Sequence, residues 1–239
     1  LHEWKPAYEH LRKAEAAGFH GLELDYALDQ VLGALYTTEL VAASRSGDKS
    51  FFLKRRKELE QELLVPARAY LEKGRGLKTA STSYVDGLID YYHERFEPAL
   101  RHAQTAQQQI SWQYEAIKLE GDVHMARALE RRDRGEYELA EKAFREALGR
   151  YAAASDIGRS DHQLYEASAE AWVRLMEMAD LRGQSPQQYL DPALAAAKRS
   201  LVAAPDASDG HTKEAFAYLF VTQAMESQLM EPAFLAMTN

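Results

Sequence analysis

The sequence contains no cysteine among its 239 residues. That absence excludes a disulfide framework and any metal site built on thiolates. It leaves the compartment open, because proteins on both sides of a membrane can lack cysteine. No run of about 18 consecutive apolar residues occurs, and the apolar stretch from Ala215 to Met225 is too short to cross a bilayer. We therefore expect no membrane span in this chain.

Glycine and proline are also scarce, with 13 and 7 residues. Both interrupt regular structure, so their low content predicts few turns and long helices. Hydrophobic residues make up 46% of the chain and charged residues 28%, as in an ordinary globular protein with a buried core. Apolar residues recur at helical spacing, as at Tyr84, Leu88, Tyr91 and Tyr92, and no stretch alternates as a strand requires. The predicted fold class is all-α.

The chain also has no excess of basic residues. The chain carries 29 Lys and Arg against 37 Asp and Glu, which gives a net charge of -8. Duplex nucleic acid requires a clustered basic surface, so this balance predicts no nucleic-acid partner. The basic run at residues 54–57 is followed by Glu58, Glu60 and Glu62, and we interpret it as an exposed helix turn with its own counter-charges.

The expected breaks between helices are short and lie near residues 18–21, 44–49, 74–81, 134–136, 155–161, 183–185 and 205–210. Asp161 is predicted to cap the helix that follows it, and Asp206 and Ser208 are candidates for the same role before the last helix. Pro98 and Pro192 fit the first turn of a helix, where a missing N–H costs little.

Pro66 is the proline that is hardest to place. The helical rhythm of Leu59, Leu63 and Leu64 runs up to it. Two alternatives stay open: a single distorted helix from Phe51 to Lys73, or two helices that the proline separates.

The segment from Gly135 to Leu148 carries the clearest internal repeat. It has the spacing of the turn and second helix of a tetratricopeptide (TPR) hairpin: a glycine, an aromatic two residues later, then alanine, aromatic and alanine at helical intervals. The glycine permits a tight turn, the small residues let paired helices approach, and the aromatics fill the space that remains.

Three weaker copies of this pattern occur elsewhere in the chain. Their residues are Leu32, Gly33 and Tyr36 for one copy, Gly87, Phe96, Ala99, Ala103 and Ala106 for the next, and Trp172, Leu175, Gly183, Ala193, Ala197 and Pro205 for the last. The last copy has about five extra residues around positions 185–189 when aligned to the usual repeat. The first helix, with Ala7, Leu11 and Ala14, fits the end of a partial repeat. The copies are spaced more widely than the usual ~34 residues, so we expect elongated helices and variable loops.

Four blocks of this sequence resemble a known group of proteins. They are Tyr84-Val85-x-Gly87-Leu88-Ile89-x-Tyr91-Tyr92, Arg95-Phe96-Glu97-x-Ala99-Leu100, Tyr114-Glu115-Ala116-x-Lys118-Leu119-Glu120-Gly121-Asp122, and Gly158-Arg159-Ser160-Asp161 ahead of Trp172. From Ala27 to Pro205 the chain is similar to the TPR-containing C-terminal region of bacterial serine/threonine protein kinases. The resemblance implies a regulatory or scaffolding module on a kinase, on either side of a membrane. Free-standing TPR proteins share such repeats, so a kinase parent is one of two alternatives.

The kinase catalytic motifs themselves are absent from the sequence. It has no Gly-rich phosphate loop after a strand, no His-Arg-Asp loop and no Asp-Phe-Gly. We therefore predict no catalytic residue and no enzyme activity. The chain opens at Leu1 without a signal-peptide pattern, and we interpret residues 1–239 as one domain of a longer polypeptide.

Isolated motifs of other chemistries predict no site. Ser46-Gly47-Asp48-Lys49 has the Ser-x-x-Lys spacing of penicillin-interacting serine enzymes, but their partner motifs are missing. Gly74-Arg75-Gly76 lacks the Gly-Lys-Ser/Thr ending of a phosphate loop. The 8 histidines show no His-Glu-x-x-His or repeated Glu-x-x-His spacing. We expect no metal and no cofactor.

A TPR array presents the first helix of each hairpin on a concave surface. The candidate contact residues there are Tyr84, Tyr91, Tyr92, Lys118, Arg174 and Glu177. Tyrosine and arginine are favoured contact residues, although each tyrosine has core filling as its alternative role. The prediction is one elongated, right-handed TPR-like superhelix of about ten helices that binds a protein or peptide. The alternatives are an all-α small-molecule sensor with a closed pocket and a helical enzyme with scattered acids.

Overall fold

The computed structural model describes residues 4–44, 48–74, 81–205, 210–212, 214, 215 and 218. These residues form ten α-helices between positions 4 and 203 and contain no strand, which confirms the all-α prediction. The chain divides into two compact units, unit 1 over Leu1–Ile110 and unit 2 over Ser111–Asn239. Within the described part, no helix combines the length and the apolar character needed to cross a membrane.

The described residues of unit 1 form six α-helices. They are α1 (Trp4–Ala16), α2 (Leu22–Ser44), α3 (Lys49–Leu59), α4 (Val65–Gly74), α5 (Thr82–Tyr92) and α6 (Phe96–Gln109). Helix α2 packs against α1, α3 and α4, and α5 packs against α6. The buried leucines of α2 recur about every turn, at Leu24, Leu28, Leu32 and Leu35, and give that helix its inner face.

Between α3 and α4 the backbone stays helical through a π-helical turn, Glu60–Leu64. The Val65 amide closes this turn by donating to the Glu60 carbonyl. Proline lacks an N–H, and its ring presses on the carbonyl four residues before it. The wider π turn ends just before Pro66 and is a known way to absorb such a disturbance. Of the two alternatives for Pro66, the structure shows the single distorted helix.

Between residues 111 and 205, unit 2 has four helices. They are α7 (Tyr114–Asp133), α8 (Tyr137–Ile157), α9 (His162–Leu181) and α10 (Leu190–Ala203), with a 3-10 turn at Pro186–Tyr189 before the last. Each helix packs on the next, and α7 also contacts α9. The 3-10 turn occupies the predicted insertion. Helices α7 and α8 have 20 and 21 residues, in agreement with the elongated helices expected from the wide repeat spacing.

Four helices of the described chain end in the same turn. The residue just past each end has a positive φ: 88° at Gly18, 58° at Glu94, 77° at Gly135 and 66° at Gly183. In each case its amide donates to the carbonyl three residues back, and the next amide donates to the carbonyl five residues back. That pair of bonds is the Schellman motif, which satisfies carbonyls left open at a helix end.

Small residues lie where the paired helices touch. They are Ala99, Ala103 and Ala106 in α5/α6, Ala128, Ala140 and Ala147 around Phe144 in α7/α8, and Ala193, Ala197 and Ser200 in α9/α10, all at most 1% exposed. These positions include the alanines that the repeat pattern selected. Close helix packing requires such small side chains, so three hairpins share both their turn and their packing positions. Their superhelical arrangement stays a prediction.

The smaller local predictions have mixed outcomes. Asp161 caps α9, and its carboxylate accepts from the Gln163 amide at 3.0 Å, as predicted. Pro98 and Pro192 lie in the first turns of α6 and α10, also as predicted. The break between α6 and α7 at residues 110–113 was not predicted, because no glycine or proline marks it.

Other predictions lie wholly or partly outside the described residues. Those are the caps at Asp206 and Ser208, the Ser46 and Gly47 part of the Ser-x-x-Lys motif, and Arg75-Gly76. Asp48 is a described residue of the Ser-x-x-Lys motif, and its carboxylate caps α3 by accepting from the Ser50 and Phe51 amides. This aspartate therefore has a structural role.

Candidate binding surface

A chain of ion pairs links the first helices of the two hairpins in unit 2. Arg132 of α7 lies 3.5 Å from the carboxylate of Glu177 in α9. Arg174 contacts Glu177 at 2.8 Å and Glu170 at 2.6 Å, both within α9. The structure thus brings together two of the predicted contact residues, Arg174 and Glu177.

The side chains of this α7/α9 surface are half-buried, between 21% and 29% exposed. Arg132 also contacts the exposed Asp133 carboxylate at 2.8 Å, so two guanidinium groups lie among three carboxylates at this surface. Each guanidinium presents a planar fork of N–H donors that matches carboxylate oxygens, which holds these side chains in defined orientations. The surface therefore presents a pre-ordered row of donors and acceptors and not a patch of one sign.

Lys118, a third predicted contact residue, belongs to a different group of side chains in unit 2. Its ammonium lies 2.8 Å from the carboxylate of Asp122. The hydroxyl of Tyr151 donates to the other oxygen of Asp122 at 2.9 Å. The ring of Tyr114 packs on Gly158, where an added Cβ would lie 2.8 Å from it. This cluster joins α7 to α8 and to the loop before α9.

The electrostatics of this cluster favour its ion pair. Burial opposes the charge on Lys118, but Asp122 and Asp161 outweigh it and raise the pKa of the ammonium. Burial, followed by the charge of Asp161, raises the pKa of Tyr114 to about 12. Lys118 is thus a charged group held by carboxylates, and the sequence blocks around Tyr114 and Gly158 meet in a packing contact.

The three predicted tyrosines of α5 lie in unit 1. Tyr84 is only 6% exposed and belongs to the core. Tyr91 and Tyr92 are half-buried, with ring centroids 6.0 Å apart, and Tyr91 also packs against Phe96. The Tyr92 hydroxyl faces Gly33 of α2, where a Cβ would lie 2.5 Å away. For Tyr84 and Tyr92 the structure therefore supports the core-filling alternative.

A polar cluster in unit 1 stabilises the turn between α5 and α6. The buried Asp90 carboxylate lies 2.6 Å from Arg95 in the turn and 2.8 Å from the imidazole of His102 in α6. The Asp90 backbone carbonyl also accepts the Arg95 amide in the Schellman motif. Side chain and backbone of one residue thus both fix the turn.

A shallow cavity of about 550 Å³ lies along α8. Its lining consists of charged side chains, Glu138, Glu141, Lys142, Arg145, Glu146 and Arg182. Arg145 and Arg182 both contact the Glu141 carboxylate, at 2.9 and 3.7 Å. A small-molecule receptor typically uses an enclosed apolar pocket with a few polar groups, which is a different kind of lining.

Arg132 and Glu170 belong to the α7/α9 surface but were not among the predicted residues. Glu170 had a sequence signal, because it precedes Arg174 by four residues on one helix face. Arg132 had none, since its pairing with Glu177 spans two helices. Within the described chain, no group of three or more His, Asp and Glu side chains is arranged to hold a metal ion.

No family model matches this chain. No curated protein matches it significantly.

Proposed function

We propose that this chain is a non-catalytic module that binds a protein or peptide through degenerate TPR hairpins. The observation that carries the proposal is the recurrence of one hairpin in α5/α6, α7/α8 and α9/α10, with the same Schellman turn and small residues at the contact. Stacked helical hairpins expose the same helix of each pair along one side, and such surfaces bind extended ligands.

The surface assigned to the ligand in unit 2 is the α7/α9 surface around Arg132, Arg174 and Glu177. Its side chains are half-buried and ordered by ion pairs, so little side-chain entropy is lost when a partner binds. A peptide supplies both backbone donors and backbone acceptors. Because the surface offers guanidinium donors and carboxylate acceptors side by side, it suits a peptide better than a ligand of one charge.

The biological context proposed is the regulatory or scaffolding C-terminal region of a bacterial serine/threonine kinase. The resemblance of the blocks around Tyr84, Tyr114 and Gly158 supports this context. The coding sequence upstream of Leu1 in the parent gene is expected to contain a His-Arg-Asp loop and an Asp-Phe-Gly motif. A domain of another class there would contradict the kinase context and leave the peptide-binding proposal standing.

Peptide binding is tested by selecting a phage-displayed library of random peptides on the 239-residue chain. Selected peptides are then measured against Arg174→Gln, which removes the central cation of the α7/α9 surface. We expect an affinity loss of about tenfold, the size of an ordinary contact-residue truncation. Circular dichroism verifies that the variant keeps its helix content.

Arg145→Gln is the matched control. Arg145 pairs with Glu141 four residues earlier on α8, as Arg174 pairs with Glu170 on α9, but it lines the charged cavity. The proposal expects this variant to bind peptides as the parent does. Peptides that bind Arg145→Gln more weakly than the parent, but bind Arg174→Gln as the parent, would place the binding site at the cavity. A failure to enrich any peptide on the folded chain would contradict peptide binding itself.

A further inference from the structure

A ladder of polar side chains crosses the α7/α8 hairpin, and it shares one residue, Glu146, with the charged cavity along α8. Glu120 pairs with Arg150 at 3.4 Å, and one turn further along α7 the His124 imidazole lies 3.1 Å from the Glu146 carboxylate. Two turns beyond, Arg131 donates to the Leu139 carbonyl at 3.3 Å. Each step forward in α7 matches an equal step back in α8, as two antiparallel helices require.

His124 lies in the middle of this ladder and is mostly buried, with its side chain 17% exposed. The charges with the largest effect on it are the cations Arg127 and Arg131 on α7 and Arg150 on α8, and the anion Glu146 on α8. Arg150 is also paired with Glu120, and Glu146 with Lys142. Positive charge is therefore in excess before the imidazole takes up a proton. Helix α9 also contacts α7, but these largest contributions all come from α7 and α8.

The physics of this position disfavours a charged imidazole. Burial lowers the pKa of His124 below its usual 6.5; Glu146 opposes that shift, while Arg127, Arg150 and Arg131 add to it. When a folded-state pKa lies below the unfolded one, the folded form binds fewer protons in that interval. Its stability is therefore full above pH 6.5 and is lost as the pH falls towards the folded pKa.

We propose that His124 is a proton-sensitive latch, which keeps the α7/α8 hairpin closed while neutral and loosens it when protonated in mild acid. The latch lies in the hairpin with the clearest repeat pattern. This proposal is independent of the proposed peptide binding, because the separation of α7 from α8 involves no ligand.

Amide hydrogen exchange of the whole chain measures this opening directly. On going from about pH 8 to about pH 5, and after correction for the intrinsic exchange rate, the amides of α7 and α8 should lose protection severalfold. His124→Gln, which binds no proton, should retain its protection across that interval. The control is His162→Gln at the start of α9, which makes the same change at a more exposed imidazole, 37% exposed. It should lose protection as the parent does.

A second measurement excludes a merely structural effect of the substitution. Glu146→Gln removes the anion that favours the charged imidazole, so the NMR titration of His124 should move to a still lower pH. A parent His124 that titrates at or above 6.5, the ordinary value, would overturn the proposal. So would His124→Gln with the same loss of protection in acid as the parent.

Discussion

The two units of the chain share one hairpin turn, but only unit 1 also builds it without glycine. In unit 2 the turns after α7 and α9 have glycine at the left-handed position, at Gly135 and Gly183. In unit 1 the turn after α1 has Gly18 there, whereas the turn after α5 has Glu94, with the same two hydrogen bonds. The geometry is therefore retained where the residue type is not. The hairpin turn thus recurs in the structure even where the sequence lacks the glycine of the repeat pattern.

The units also differ in the partners of their buried carboxylates. In unit 2 the fully buried Glu120 faces Arg150 at 3.4 Å. In unit 1 Asp29 of α2 is fully buried too, but among the described residues the group that favours its charged form is the Gln30 amide, which donates to it at 2.8 Å, and not a cation. Burial raises the pKa of Asp29 to about 7. The core of unit 1 therefore favours the protonated form of this carboxylate.

The largest expected effect follows from that carboxylate. Between an unfolded pKa of 3.8 and a folded pKa of about 7, the folded state binds more protons, so unit 1 loses stability as the pH rises through this interval. Asp29→Asn cannot ionise and should raise the unfolding free energy at about pH 8 by roughly 2–4 kcal/mol. Urea unfolding at several pH values measures the gain, which should vanish towards pH 4.

The control for this prediction is Glu23→Gln on the exposed side of the same helix. It removes one carboxylate charge from α2 and should change the unfolding free energy by no more than about 0.5 kcal/mol. An Asp29→Asn variant that is no more stable than the parent at neutral pH would show that unit 1 does compensate its buried charge, as unit 2 does.

The second effect concerns close packing in unit 2. At Gly121 in α7 an added Cβ would lie 2.5 Å from the Tyr151 ring, which is itself buried. Gly121→Ala should therefore lower the unfolding free energy by about 1–3 kcal/mol. Gly149→Ala in α8 is the matched control, because nothing lies within 4 Å of that Cβ position. It should raise stability by about 0.5–1 kcal/mol, since alanine favours helix. Two changes of the same sign would contradict the packing described.

The third effect tests the small-residue contact that defines the repeat. Ala140 in α8 is fully buried, and Ala140→Leu should destabilise the chain by about 1–3 kcal/mol through overpacking. Ala152→Leu on the exposed face of the same helix should have an effect of less than about 0.5 kcal/mol. Thermal or urea unfolding of both variants gives the comparison. A near-zero effect at Ala140 would remove the repeat assignment at that position.

The fold was predictable from sequence where local chemistry determines it. Gly135, Gly183 and Asp161 each specify a turn or a cap through their own conformation or hydrogen bonds, and the alanine spacing identified the helix contacts. Glu94 gave no such signal, because a glutamate at positive φ depends on the surrounding hairpin to impose it. The break at residues 110–113 contains no glycine or proline and gave no signal either, whereas Pro66 did mark the distortion that the π turn before it absorbs.

The candidate site was predictable only in part. Arg174 and Glu177 were chosen as exposed residues on a first helix, and the structure brings them together on α9. Their connection to Arg132 is a contact between helices, for which one sequence carries no spacing rule. The tyrosines of α5 illustrate the converse difficulty, because an aromatic at helical spacing fits a groove and a core equally well.

The most direct test of the repeat, on which the binding proposal depends, is an exchange of turn residues between the two units. Glu94→Gly should stabilise the chain by about 0.5–1 kcal/mol, since relief of the left-handed strain exceeds the loss of an exposed ion pair with Arg56. Gly135→Glu should destabilise it by about 1–2 kcal/mol. Opposite signs are predicted for the two unfolding free energies. A destabilising Glu94→Gly, together with a tolerated Gly135→Glu, would contradict the claim that these hairpins are copies of one another.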